Sequence, residues 1–163
     1  NEEERDERIK FLLGRERVEA GWKGSNKWSS FGGKIEDKET VQRAAAREAN
    51  EESMGFLGSI ESIYDRLHGS KMITNGKAVN YLLQISYDKN IVITYSNVYK
   101  YMSNCNIRCP DGYFEKTEID WFSLRQIKNF LNGEWDYDRD GDKPIFREEF
   151  IVSIRYIISV YTF

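Results

Sequence analysis

The chain has 163 residues, with 24 Lys and Arg against 27 Asp and Glu, which gives a formal net charge of −3. This length is typical of one domain that buries enough surface to fold without disulfides or a structural metal. With only two cysteines and one histidine, the sequence argues against a four-ligand zinc site and against Ser-His-Asp catalysis. The near-neutral charge provides no general attraction for a polyanion, so any contact with RNA must be local.

The sequence also bears on where the protein works. Its apolar runs are short and carry charge, so we expect no bilayer-spanning segment and no membrane partner. The chain opens on charged residues rather than a secretory signal, and its free thiols suit a reducing compartment. We therefore expect an intracellular, cytoplasmic protein, and the oligomeric state stays open.

The first third of the chain predicts three elements. Apolar side chains cluster and alternate over residues 9–15, which predicts a strand. Residues 21–30 are rich in Gly, Ser and Asn and predict a loop. Residues 40–52 predict a helix, because three consecutive alanines lie among Arg and Glu behind Thr40, which can cap the first turn.

The rest of the chain predicts strands followed by helices. β-Branched and aromatic residues indicate strands over residues 78–87, 91–95 and 118–123. A short helix is predicted over residues 124–131, and an Asp-rich turn over residues 136–142. Apolar residues repeat at helical spacing behind Pro144, so we expect the chain to close on an amphipathic helix.

Three carboxylates fall on one face of the helix predicted over residues 40–52. Glu48, Glu51 and Glu52 stand at positions i, i+3 and i+4, so their side chains project close together. Such a cluster repels itself unless cations neutralise it, and all-oxygen ligation suits Mg²⁺ or Mn²⁺. A solvated acidic helix face is the alternative interpretation.

The residues upstream of this face favour the metal site. Residues 31–36 form a glycine turn that carries Lys34, and Glu39 and Arg47 follow at fixed offsets. With this context, residues 33–55 resemble the Nudix box, which asks for Gly, five residues, Glu, seven residues, Arg-Glu, an aliphatic, any residue, Glu-Glu, any residue, Gly and an aliphatic. The glycine and charged positions match from Gly33 to Glu52.

The match departs from the pattern after the last carboxylate. Met54 stands where the family has Gly, and Gly55 arrives one residue late. Because this position is the helix exit, we expect a helix one residue longer and an intact site. The resemblance covers residues 9–131 more loosely, and family members usually carry strands before the part that matches here. We therefore expect a single Nudix domain over residues 1–163 that forms the C-terminal part of a longer chain.

The resemblance implies an α/β fold, an α/β/α sandwich around a mixed β-sheet. It implies metal-assisted hydrolysis of a phosphoanhydride, in which the acidic helix face and the Gly32 carbonyl hold Mg²⁺ or Mn²⁺. Arg47 would pair with Glu39 to brace the helix. Lys34 would orient a carboxylate or touch a phosphate. The residues it assigns to catalysis are Glu48, Glu51, Glu52, Glu115, Lys34, Arg47 and Glu39.

The general base is assigned through the same resemblance. In the decapping members of the family, a Glu lies six residues before the Trp of a late Trp-Phe pair. Glu115 holds that place relative to Trp121, and would also complete the metal site. Glu118 remains the competitor, because the conformation of the loop decides which carboxylate reaches the water.

For the substrate, the chain resembles most the mRNA-decapping Nudix enzymes of large DNA viruses, which implies release of methylated GDP from capped RNA. A composition biased toward A/T-rich codons and the position of Glu115 support this interpretation. Trp28 is the candidate for stacking on the cap base, with Lys27 and Arg15 on the RNA body. The alternatives are a hydrolase of small free nucleotides and a non-catalytic module that binds nucleotide or RNA.

Overall fold

The computed structural model describes residues 1–134 and 144–163. No helix in these ranges is long and apolar enough to cross a membrane. The Asp-rich turn predicted over residues 136–142 lies outside the described residues. The elements, in chain order, are α1 (Glu2–Arg8), β1 (Lys10–Glu16), β2 (Trp28–Ser29), α2 (Val41–Glu52), α3 (Ile60–Leu67), β3 (Lys71–Asn75), β4 (Ala78–Leu82), α4 (Ile91–Asn104), β5 (Lys116–Ser123), α5 (Leu124–Leu131) and α6 (Glu148–Val160).

Strand β1 lies at the centre of the main sheet, whose order is β2-β1-β5 with antiparallel pairing on both sides. Strands β3 and β4 form a separate antiparallel hairpin. The parallel component found in the described part of the chain is a single bridge between Trp28 and Phe146. The predicted α/β fold is confirmed, with sheets that are antiparallel apart from that bridge.

The largest core cluster lies between this sheet and the last two helices. Leu13 and Phe122 supply the sheet side, while Ile127, Phe150 and Ile154 supply the helix side. A smaller cluster packs α2 against α3. In a third cluster, α4 packs against β5 and against the residues that follow the carboxyl end of α2. Contacts with α4 and β5 therefore fix this end of α2, the helix that carries the acidic face.

Several predicted elements are confirmed: the first strand, the helix behind Thr40, the late strand, and the two last helices. The strand predicted over residues 91–95 is wrong, because these residues begin α4. Their spacing explains the difference, since Ile91, Tyr95, Val98 and Tyr99 recur on one helical face and pack in the third cluster. The strand predicted over residues 78–87 ends at Leu82, and the predicted loop contains β2.

The end of α2 also differs from expectation, since the helix is not lengthened and ends at Glu52. Ser53 is the C-cap, and Met54 itself adopts the left-handed conformation with φ of 50°. The Gly55 amide donates to the Asn50 carbonyl at 2.8 Å, and the Met54 amide donates to the Glu51 carbonyl at 3.0 Å. This is the Schellman hydrogen-bond pattern, formed with methionine at the position that favours glycine.

Candidate active site

Helix α2 presents two faces with different surroundings. Ala46 is fully buried, and Ala45, Ala46 and Ala49 pack against α3 on one face, where small side chains let the two helices approach closely. Arg47, Glu48 and Glu51 lie on the other face, toward the turn formed by residues 31–36. The packing of the alanine face therefore sets the direction of the acidic face.

Arg47 is the hub of this face. Its guanidinium donates to Glu39 from Nε at 2.8 Å and from Nη2 at 3.1 Å, and to the Lys34 carbonyl at 3.0 Å. It also contacts Glu48 at 3.0 Å and Glu51 at 3.2 Å. These hydrogen bonds, above all those to Glu39, raise the pKa of Arg47 well above its usual range. The predicted pairing of Arg47 with Glu39 is present, and Glu39 itself is held by the Glu36 amide.

Gly33 lies against the carboxylate of Glu48. A Cβ atom at position 33 would stand 2.5 Å from the Glu48 carboxylate carbon, closer than real Cβ atoms approach other atoms. The backbone of the glycine turn and the carboxylate of α2 therefore share one confined space. Only glycine leaves that space to the carboxylate.

Glu52 is the most enclosed carboxylate of the helix, with 1% of the residue exposed. One of its oxygens accepts from the Gly32 amide at 2.6 Å, and the other lies 3.3 Å from the ammonium group of Lys116. Burial raises the pKa of Glu52 to about 7, although Lys116 and the Gly32 amide act in the opposite direction. Glu52 therefore lies beside the glycine turn, inside the protein rather than at its surface.

Lys116 and Glu16 belong to this part of the site, and sequence reasoning missed both. Both residues are buried, and they form an ion pair at 2.6 Å. One signal in the sequence was available: Gly14 interrupts an apolar strand, which often marks a close approach by another group. That group is the aliphatic stem of Lys116, whose Cδ would lie 2.7 Å from a Cβ at position 14.

The two candidates for the general base have different surroundings. Glu115 lies just before β5, and burial, with smaller contributions from Glu48 and Glu16, raises the pKa of its carboxyl group. Glu118 lies on β5 opposite Arg15 and pairs with its guanidinium at 2.9 Å. Glu115 is therefore the candidate with carboxylates of the site as electrostatic neighbours.

The residues predicted to bind substrate are only partly available. Trp28 is 8% exposed and packs edge-on against Phe122 in the core, because β2 pairs with β1 and bridges to Phe146. The prediction that Trp28 stacks on a cap base is therefore wrong, because its ring lies in the core. The Arg15 guanidinium is paired with Glu118. Lys27 is half-buried just before β2, and its backbone carbonyl accepts from the Glu16 amide at 2.8 Å. Lys34 is exposed, and its backbone carbonyl rather than its ammonium group contacts Arg47.

The carboxylate oxygens of the site, and the negative charge they carry, fit a hard divalent cation. Glu39, Glu48 and Glu51 contact one guanidinium, which leaves two negative charges uncompensated among these four side chains. Burial raises the pKa of Glu51, as it does for Glu52 and Glu115. Across the described ranges, no three acidic, His or Cys side chains are already gathered as an ion-binding group. In this arrangement Arg47 holds Glu48 and Glu51 while Lys116 holds one oxygen of Glu52.

Comparison with known proteins gives one match. The sequence-family model of the NUDIX domain matches residues 2–140, the greater part of the chain. No curated protein and no solved structure matches the sequence significantly, so no relative supports the resemblance to viral decapping enzymes.

Proposed function

Because the chain belongs to the Nudix family, whose members are pyrophosphohydrolases of nucleoside diphosphate-linked substrates and generally use a divalent metal ion, typically Mg²⁺, we propose that it hydrolyses the 5′ cap of mRNA and releases methylated GDP. The observation that carries this proposal is the place of Glu115. It stands six residues before Trp121, as in the decapping members, and Glu48 of α2 is among its electrostatic neighbours.

We assign the metal to Glu48, Glu51 and Glu52, with the Gly32 carbonyl and Glu115 as further oxygen donors. A bound Mg²⁺ or Mn²⁺ would neutralise charge on the diphosphate and lower the pKa of the attacking water. Arg47 and Glu39 keep the carboxylates of α2 facing the glycine turn, because the two hydrogen bonds between them fix the guanidinium in one plane. The exposed Lys34 is free to approach a phosphate oxygen of the substrate.

Glu115 acts as the general base in this proposal. Its raised pKa brings the carboxylate closer to the pKa at which proton transfer near neutral pH is most effective. Glu118 is the weaker candidate, since its carboxylate is already paired with Arg15 across the sheet. Removing the Glu115 carboxylate should therefore cost more activity than removing that of Glu118.

A second candidate function is the hydrolysis of small free nucleotides. Two observations favour it: Trp28 is inside the core, and Arg15 is paired with Glu118. Both residues were expected to bind capped RNA, and a small nucleotide requires neither a cap-stacking tryptophan nor an RNA track. The choice between the two functions is a choice of leaving group, and the same metal site serves both.

The test compares substrates on one enzyme preparation with Mg²⁺ or Mn²⁺ present. Cap-labelled RNA, free cap analogue and a panel of free nucleotides are offered to the wild type, Glu52→Gln, Glu115→Gln and Glu118→Gln. Glu61→Gln, a change at an exposed side chain of α3, is the matched control. We expect release of methylated GDP from long RNA, loss of turnover in Glu52→Gln, and a kcat about 100-fold lower in Glu115→Gln.

Each of the other outcomes contradicts a defined part of the proposal. Turnover of free nucleotides with none of capped RNA would replace decapping by the second candidate function. Full activity in Glu52→Gln would refute the metal site. A larger loss in Glu118→Gln than in Glu115→Gln would move the general base to strand β5.

A further inference from the structure

The side chain of Lys116 is fully buried at the start of β5, an unusual place for an ammonium group. A buried charge is unfavourable unless it is paired and hydrogen-bonded, so its partners must account for its presence. Lys116 directly follows Glu115, the proposed base, and contacts Glu52, the proposed metal ligand. Its position links the two.

The ammonium group has acceptors on several sides. It donates to Glu16 at 2.6 Å, to the Ser29 hydroxyl at 2.8 Å and to the Ser30 carbonyl at 3.3 Å, and it lies 3.3 Å from Glu52. An ammonium group has three N–H donors, and the hydrogen bonds to Glu16, Ser29 and Ser30 use all three, so the contact with Glu52 is an ion pair. These three hydrogen bonds fix the ammonium group at its place beside the Glu52 carboxylate, because moving it away would break at least one of them.

Glu16 holds the opposite end of this network. One of its carboxylate oxygens accepts from Lys116, from Ser29 at 3.0 Å and from Arg147 at 3.1 Å. Two carboxylates, Glu16 and Glu52, therefore face two cations, Lys116 and Arg147, and their formal charges balance. Because Glu16 lies on β1, the ammonium group is tied to the central strand of the sheet.

The aliphatic stem of Lys116 is confined as closely as its ammonium group. A Cβ at position 14 would lie 2.7 Å from the Lys116 Cδ and 2.9 Å from its Cγ, so the glycine of β1 provides the channel for the stem. These atoms lie in the middle of a buried side chain whose two ends are held, so they cannot move aside easily.

The backbones of the two elements are tied at the same place. The hydroxyl of Tyr95, a buried residue of α4, lies 2.8 Å from the Lys116 carbonyl and 3.1 Å from the Glu52 carbonyl. The end of α2 and the start of β5 are therefore held at a fixed separation. Within it, the Glu52 carboxylate lies between the Gly32 amide and the Lys116 ammonium group.

We propose that Lys116 is a positioning residue, whose buried ammonium group holds the Glu52 carboxylate beside the glycine turn in the orientation that binds the metal. This inference rests on the proposed function, in which Glu52 is a metal ligand. Lys116 acts through Glu52 and does not touch the substrate. Gly14 and Glu16 support it, since one makes room for its stem and the other fixes its head.

The test measures metal binding directly, by titrating Mn²⁺ into metal-free protein and following free Mn²⁺ by electron paramagnetic resonance. The double variant Lys116→Met/Glu16→Gln removes one charge of each sign, so its net charge equals that of the wild type. Gly14→Ala displaces the lysine stem and leaves every charge in place. Gly69→Ala, where an added Cβ meets no atom closer than 4.0 Å, is the matched control. Circular dichroism and thermal unfolding in chelator verify that each variant is folded.

We expect Mn²⁺ affinity to fall roughly tenfold or more in both test variants, as is typical when a partner that orients a metal ligand is removed, and to stay unchanged in Gly69→Ala. Wild-type affinity in both folded test variants would overturn the proposal, since Lys116 would then stabilise the fold without orienting Glu52. If the double variant does not fold, Gly14→Ala decides alone. Absence of Mn²⁺ binding in the wild type would instead refute the proposed metal site, and this inference with it.

Discussion

Gly33 and Glu48 approach each other so closely that the glycine turn and the carboxylate of α2 form one unit. A Cβ on Gly33 would stand 2.5 Å from the carboxylate carbon of Glu48. Arg47 binds both parts, through the Glu48 carboxylate and the Lys34 carbonyl. The turn therefore does more than connect two elements, because it defines where the carboxylate can lie.

The first prediction follows from this contact: Gly33→Ala should displace the Glu48 carboxylate and lower kcat/KM by about 100-fold, since small displacements of reacting groups have effects of that size. The global fold should survive, because residue 33 is exposed and its φ is not positive. Steady-state kinetics with the best substrate of the panel measure the loss, and Gly69→Ala is the control. Near wild-type activity in Gly33→Ala would show that Glu48 has room to move without harm.

The second prediction concerns Arg47, whose side chain is 14% exposed and contacts three carboxylates within 3.2 Å. Arg47→Ala should lower the free energy of unfolding of metal-free protein by on the order of 3 kcal/mol, because those carboxylates would face one another without a cation. Arg47→Lys should recover only part of the loss, since an ammonium group cannot donate two parallel hydrogen bonds to Glu39. Urea unfolding in chelator measures both changes.

Arg43 provides the matched control for this experiment, because it lies on the same helix. Its guanidinium pairs with Glu61 at 2.8 Å, but the two side chains are 42% and 71% exposed. Exposed pairs contribute little, so Arg43→Ala should change stability by about 1 kcal/mol or less. Equal effects of the two alanine substitutions would contradict the role of Arg47 as the hub of the acidic face.

The sequence predicted the residues of the acidic face because their chemistry depends on local spacing along one helix. The pairing of Arg47 with Glu39 and the positions of Glu48 and Glu51 toward the turn follow from offsets within about twenty residues. The burial of Trp28 depends instead on β2 pairing with β1 and bridging to Phe146, which lies 118 positions away in the numbering. Contacts of that range leave no periodic pattern in a single sequence.

Helix α4 and Lys116 show two further features that local sequence patterns could not predict. The β-branched residues at the start of α4 have high strand propensity, but a helix lets Tyr95 reach the buried cluster beside Ile119. Packing outweighed local propensity there. Lys116 lies in a strand whose neighbouring residues are charged, so nothing local distinguishes a buried lysine from a solvated one. Only the glycine at position 14 hinted at its stem.

The third prediction concerns pH. Burial gives Glu52 a folded-state pKa of about 7, above the ordinary value of 4.5, so the folded state binds this proton more tightly than the unfolded state. The contribution of Glu52 to the free energy of unfolding therefore declines as pH rises from about 4.5 to about 7, and changes no further above that. In chelator, the stability of wild type relative to Glu52→Gln should fall across this interval. A difference independent of pH would contradict the prediction.

Glu39 gives a control of opposite sign for the same titration. Its hydrogen bonds, above all those from Arg47, lower the pKa of its carboxyl group in the folded state. The stability it contributes is present above the ordinary pKa of 4.5 and is lost as pH falls through the lower folded-state value. Relative to Glu39→Gln, the wild type should therefore gain stability as pH rises through the acid range, the reverse of the result with Glu52→Gln.

The last prediction concerns Met54, which combines a left-handed backbone with a side chain that is only 8% exposed. Met54→Ala should lower the free energy of unfolding by about 2–3 kcal/mol through lost burial. Met54→Gly loses the same contacts but relieves the strain at φ of 50°, so it should be about 1 kcal/mol more stable than Met54→Ala. In the interior of α2 the order reverses, and Ala45→Gly should be about 1 kcal/mol less stable than wild type. Urea unfolding of the three variants measures these differences, and a glycine variant less stable than the alanine variant at position 54 would contradict the strained cap.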